Sequence, residues 1–189
     1  MNENRDVVPL TNNHTSLGEF VGDWSVIART FSARGALPLE RSGKSTCRAL
    51  LDGRATLMET ELINPDGTVY KSFALATYNV REAGFEGVFM DVHSFDGFDP
   101  LNGGSLKTTE LASGVIIGND TLKRVWNGSI GVPRKQASSN GSQEILLGVD
   151  RLNIQFVENK VNDDKWVLLG FSDDGSGNGY ISMEQIFSR

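Results

Sequence analysis

A chain of 189 residues with 39% hydrophobic and 22% charged side chains has the make-up of one soluble globular domain with a sizeable core. Its formal net charge of -6 and pI near 4.9 argue against a nucleic-acid partner, which calls for a concentrated basic face, and the one basic pair, Arg134-Lys135, stands in a polar stretch. A single cysteine, Cys47, cannot form an internal disulfide, no apolar run nears the roughly 18 residues of a membrane span, and the first residues lack the pattern of a basic segment followed by an apolar core that directs secretion, so no leader is expected.

A cytoplasmic protein without a membrane partner is therefore expected, and the sequons at Asn13, Asn127 and Asn140 are read as chance. Residues 1–14 are polar and without periodicity, which reads as a flexible N-terminal arm, leaving 15–189 as a single domain. Ser16 followed by Glu19 has the spacing of a capping box and predicts a short helical turn through Phe20, placed to plug one end of a barrel. Strand patterns follow at Asp23 to Ser32, Glu40 to Leu51, Arg54 to Ile63, Val69 to Val80 and Phe85 to Ser94. Their punctuation is that of hairpins: Asp52-Gly53, then Asn64-Pro65-Asp66-Gly67, then Glu82-Ala83-Gly84.

The spacing breaks at Phe95 to Gly104, a candidate rim loop, and again at Gly131 to Gln143, a second long exposed loop. Between them lie strand-like segments near Leu106 to Ala112, Val115 to Gly118 and Thr121 to Ile130, with boundaries blurred by Gly114. Arg151 to Asn159, Lys165 to Ser172 and Tyr180 to Ser188 complete the set. The fold class is all-β, an antiparallel up-and-down barrel of about ten strands with a sandwich as the alternative, because hairpin follows hairpin without a sustained helical period.

Val21-Gly22-Asp23-Trp24 opens the first strand, and Ser182 to Arg189 closes the last. If those strands pair, Arg189 can lie across the Trp24 indole and seal one end. With Leu51-Asp52-Gly53-Arg54 through Met58-Glu59, Asp66-Gly67 through Ala76-Thr77-Tyr78-Asn79, and Met183-Glu184 through Phe187-Ser188-Arg189, the chain resembles the calycin superfamily of lipocalin-like barrels, especially its small bacterial one-domain members. The resemblance implies an internal pocket for a small, largely apolar molecule. It does not imply one chemistry, and Ser25-Val26-Ile27-Ala28 after Trp24 departs from the glycine-rich extension of the haem-binding relatives.

Alternation in Phe85 to His93 puts Phe89, Asp91 and His93 on one face and Val88, Met90 and Val92 on the other. Facing inward, Asp91 and His93 would share a ligand or a water; facing outward, they leave the β-branched set to pack the core. Arg124 beside Trp126 would suit an anionic or carbonyl-bearing ligand if it points inward, and is surface charge if it points outward, the direction favoured by the cost of an unpaired buried arginine. Glu184 shares a face with Ser182 and Ile186 and is a candidate acid or base in a mixed interior. Tyr78, on a face with Ala74 and Ala76, would project over small residues into a cavity.

Two histidines and one cysteine without close spacing argue against a zinc site, and Asp96 with Asp99 lacks the repeated carboxylates of a calcium loop, so no metal is expected. No cofactor fingerprint is present. The expected function is binding of a small, largely apolar molecule in the barrel interior, with a cofactor-independent isomerase or cyclase in the same pocket as the alternative. The ligand-binding candidates are Tyr78, Phe89, His93, Arg124 and Trp126, and the catalytic candidates are His93, Asp91 and Glu184. Trp24 is expected at the floor, with Arg189 either its cover or a frayed terminus, and the entrance is expected toward the opposite end. The chain is compatible with a homo-oligomer.

Overall fold

The computed structural model describes residues 9–81, 83–91, 112–116, 123–137, 144–173 and 179–189. They form an antiparallel, strongly curled β-sheet with one short helix. The helix α1 (Asn12–Leu17) runs into a 3-10 turn at Gly18–Phe20. The strands are β1 (Gly22–Thr30), β2 (Leu39–Leu50), β3 (Ala55–Ile63), β4 (Val69–Asn79), β5 (Gly84–Asp91), β6 (Ala112–Ile116), β7 (Lys123–Ala137), β8 (Glu144–Asn162), β9 (Lys165–Asp173) and β10 (Gly179–Ser188). Each pairs with its neighbours in sequence, and β1 also pairs with β10, placing Val26 opposite Phe187.

Alternation builds the concave inner face. In β1, Trp24, Val26 and Ala28 are buried while Asp23, Ser25 and Ile27 point outward, as a strand with a period of two and one covered face requires. These residues pack with Phe20, Cys47, Leu62, Tyr70, Trp166 and Phe187 into one core cluster. Trp166 is stacked on Phe187 with centroids 3.6 Å apart, and Phe20 and Trp24 meet its ring edge-on. A second cluster of Leu17, Phe85 and Trp126 joins α1 to the sheet. β2 and β3 approach closely at Gly43, where a Cβ would stand 2.0 Å from the Glu61 carbonyl oxygen.

Several sequence-based boundaries change. The capping box is formed by Thr11 and His14, not by Ser16 and Glu19. His14 Nδ1 accepts the Thr11 backbone N–H at 3.1 Å, doing what a glutamate does at that position, while Ser16 Oγ donates to the Asn13 carbonyl at 2.8 Å. Residues 11–14 therefore belong to the folded unit, with His14 buried. Residues 131–137 are the end of β7, paired with β8, instead of part of a long loop, and β8 begins at Glu144, ahead of the expected Arg151. A single strand, β6, spans Gly114. The expected Asp52-Gly53 hairpin turn is a 3-10 segment with Leu51, Asp52 and Gly53 all in the left-handed region. The Asn64 to Gly67 turn is present, with Gly67 at φ +83°. The Phe95 to Gly104 loop lies outside the described residues. Among the described residues no helix is long and apolar enough to cross a membrane.

Candidate functional site

The inner face has two differently built ends. At the first, α1 and the 3-10 turn pack against the ends of the strands, and the site is dominated by aromatic rings around one buried ion pair. Trp24 Nε1 donates to the Phe20 carbonyl at 2.9 Å, which anchors the turn to β1. The Arg189 guanidinium lies 4.2 Å from the Trp24 ring centroid and donates from Nη2 to the Val21 carbonyl at 2.6 Å. Gly22, at φ +137°, leaves room for that guanidinium: a Cβ there would be 2.9 Å from Arg189 Nη2.

Arg124 points inward at this same end, with its side chain 2% exposed. The cost of burying it, which made the outward orientation the favoured expectation, is offset by a partner that the sequence pattern did not reveal. Glu158 Oε2 stands 2.9 Å from Arg124 Nε, although the pair is not aligned as a hydrogen bond. Phe20 at 4.3 Å, Phe85 at 5.1 Å and Trp126 at 5.9 Å surround the cation. With its charge balanced and its faces covered, Arg124 acts here as a packing and pairing residue. Tyr78 belongs to this end too, its ring 5.5 Å from His14 and 5.1 Å from Phe85, both edge-on. A groove of about 220 Å³ beside α1, lined by Leu10, His14, Thr15, Gly18, Ala49, Gly53 and Thr56, opens at its outer edge.

The second end is polar. Arg41 near the start of β2, Tyr70 near the start of β4 and Asp91 at the end of β5 meet on the inner face. Tyr70 Oη donates to Asp91 Oδ2 at 2.9 Å, and the Arg41 guanidinium lies 5.0 Å from the Tyr70 ring centroid. Arg41 Nε is buried without a hydrogen-bond partner. Burial raises the Tyr70 pKa well above its ordinary value, the Asp91 charge and hydrogen bond push it the same way, and Arg41 opposes them. Asp91 therefore sits on the Phe85 side of β5, so the outward alternative is corrected for Asp91. Phe89, between Gly87 and Asp91 on that face, remains 38% exposed beside Ala74, its register partner on β4.

Also toward the helix-covered end, opposite Gly22, Cys47 is buried, and desolvation, reinforced by Glu158 and opposed by Arg124, pushes its thiol up to about 11. It is a packed, protonated side chain at neutral pH. Ser45 and Thr60 hydroxyls satisfy each other at 2.8 Å in the same layer.

Glu184 is not an interior acid or base. It pairs across strands with Arg29, which donates to it at 2.8 Å and also bridges to Glu40 at 2.9 Å, on the outer face. The reason is a bulge between Ile181 and Met183. Ser182 still faces inward, with its Oγ 2.8 Å from Ser172 Oγ, and the extra residue reverses the alternation so that Met183 and Phe187 point inward and Glu184 points out.

The structure thus brings Arg124, Trp126 and Tyr78 together at the helix-covered end and sets Phe89 and Asp91 apart from them, toward the polar end. His93, Asp96 and Asp99 lie outside the described residues. Among the described residues no group of three or more His, Cys, Asp or Glu side chains is placed to hold a metal ion. Arg41 and Tyr70 had a readable signal. Arg41 alternates with Gly43, Ser45 and Cys47 against the more charged set Glu40, Lys44 and Arg48, and Tyr70 shares the Ala74, Ala76 and Tyr78 face.

Comparison with curated proteins gives no match. A family model described as a protein of unknown function, DUF1579, matches residues 10–108, more than half of the chain and spanning α1 to β5. Trp24, the His14 cap and the whole Arg41–Tyr70–Asp91 cluster fall inside that match, while Arg189, Arg124 and Trp126 lie beyond it, and the chain belongs to the DUF1579 family.

Proposed function

We propose that the curled sheet closes into a ten-stranded, lipocalin-like barrel whose interior binds a small, largely apolar molecule carrying one polar group. Pairing of β1 with both β2 and β10 supports closure, since it leaves neither side of β1 as a free edge. The observation that carries the ligand reading is the polar cluster of Arg41, Tyr70 and Asp91 set on the inner face next to an incompletely covered Phe89. Affinity would come from covering the apolar wall and orientation from the cluster, the division of labour usual in small-molecule sites. Phe89 and Asp91 are the earlier candidates that this reading retains as ligand contacts. Arg124, Trp126 and Tyr78 become the supporting floor.

A hydrocarbon fluorophore, diphenylhexatriene, tests the reading by titration. Saturable one-to-one binding is expected, together with at least a tenfold loss in Ala74→Trp, which fills the space beside Phe89, at an unchanged melting temperature. Absence of saturable binding to the wild-type protein would sink the proposal.

The Tyr70–Asp91 hydrogen bond favours a second reading, a cofactor-independent isomerase in which these two groups move a proton. It stands only if unsaturated ketones are isomerised in an ultraviolet absorbance assay and the rate falls by roughly 100-fold or more in Asp91→Asn. A cytoplasmic setting, a single domain and freedom from nucleic-acid and membrane partners remain proposals resting on composition.

A further inference from the structure

On the outer face of the sheet, strand register lines up a row of apolar side chains. Ile27 on β1 stands opposite Ile186 on β10 and Ser42 on β2, Ser42 opposite Ile63 on β3, and Ile63 opposite Val69 on β4. All belong to the outward set of their strands, and Ile27, Ile63 and Val69 are 41%, 57% and 51% exposed. Single exposed apolar residues are ordinary on a monomer, whereas side chains contiguous across neighbouring strands form a patch that gains from being covered. Ser42, also exposed, is the small residue at the centre of the row.

The charges along β2 select what covers it. Glu40 and Lys44 lie two residues to either side of Ser42 on the same face, about 7 Å from it. Glu40 gives one oxygen, Oε2, to Arg29 and remains exposed. Lys71 takes Glu61, the register partner of Lys44, so Lys44 has no ion-pair partner among the described residues. A second copy turned face to face about a twofold axis along the apolar row sets Ile27 on Ile27, Ile63 on Ile63 and Ser42 on Ser42. The same rotation reverses the strand direction, so each Lys44 meets the other copy's Glu40 and the pair occurs twice. A twofold axis along β2 would set Lys44 on Lys44 and Glu40 on Glu40, which like-charge repulsion disfavours. We propose that the outer face of β1, β2 and β3 is a surface through which two copies of this chain pair, with Ser42 on the axis and reciprocal Lys44–Glu40 ion pairs on either side. The convex outer face confines the contact to those three strands, with Ile186 and Val69 at its margins, so the buried area is at the low end for protein pairs and the association is weak.

The experiment is sedimentation equilibrium of the full chain at neutral pH and low salt. A reversible monomer–dimer equilibrium is expected, with Kd on the order of 100 μM. Lys44→Glu and Glu40→Lys each turn both attractive contacts into repulsive ones and should weaken dimerisation about tenfold or more. Both positions are exposed, and Arg29 keeps Glu184 when Glu40 is replaced, so melting temperatures near that of the wild-type protein are expected. An equimolar mixture of the two variants restores both attractions and should associate as well as the wild-type chain. A wild-type protein that stays monomeric at about 1 mM, tenfold above the expected Kd, overturns the proposal. So does a dimer whose Kd either single reversal leaves unchanged, or a mixture no more associated than its two components. None of these outcomes touches the interior-binding reading, which concerns the opposite face of the sheet.

Discussion

Removing the Glu158 carboxylate is the sharpest test of how the floor is held together. The Arg124 side chain is 2% exposed and the Glu158 side chain 15% exposed, with Nε and Oε2 2.9 Å apart. At that separation and an effective dielectric constant of about 20, the gross attraction is about 6 kcal/mol, most of which offsets the desolvation of the two charges. Glu158→Ala leaves Arg124 buried with no counter-charge, a change that ordinarily costs 3–5 kcal/mol, roughly. The rings of Phe20, Phe85 and Trp126 stay in place and retain part of the cation's stabilisation, which sets the expectation at the low end, about 3 kcal/mol. Guanidinium denaturation followed by tryptophan fluorescence measures it, because Trp126 and Trp166 both lose buried surroundings on unfolding. The double variant Glu158→Leu, Arg124→Met removes both charges and should be more stable than Glu158→Ala alone. A loss below about 1 kcal/mol in Glu158→Ala, or a double variant no better than the single, would refute the view that Glu158 is what makes the inward arginine tolerable.

Two further predictions concern pH and packing. The Cys47 thiol is pushed up from 9.0 to about 11, so the folded state holds that proton more tightly than the unfolded state. Its contribution is complete below pH 9 and disappears as the pH rises to 11, a loss of about 2–3 kcal/mol in unfolding free energy. Tyr70 is also raised and adds a second loss starting above its ordinary value of 10.0, so Cys47→Ala should flatten only the earlier part of the decline in denaturation midpoint. Gly43→Ala should cost roughly 1–3 kcal/mol or more, since its Cβ meets the Glu61 backbone and not a movable side chain. Gly18→Ala is the control: helical at φ −62° with nothing within 4 Å, it should be neutral or slightly stabilising, and equal melting temperatures for the two variants would contradict the close-approach argument.

The amino-acid pattern by itself determined the all-β character, most strand positions from β1 to β5 and the Asn64 to Gly67 turn. Those features are local, or follow from a period of two and from turn residues whose backbone preferences are intrinsic. Only tertiary structure decided the chemistry of the inner face. Period two separates the faces of one strand, but it says nothing about which residue on another strand stands opposite. That is why Glu158 could not be matched to Arg124, 34 positions earlier in the chain, until the β7–β8 register placed them side by side. It also assumes an unbroken count, which the bulge at Ser182 interrupts, turning Glu184 from an interior candidate into the outer partner of Arg29. The His14 cap was hidden because an imidazole nitrogen took a role that sequence rules assign to a carboxylate or amide. Arg41, Tyr70 and Asp91 come from three strands, and each alone reads as an ordinary strand residue. The curl of the sheet makes them one cluster, by bringing the starts of β2 and β4 and the end of β5 to the same end of the inner face.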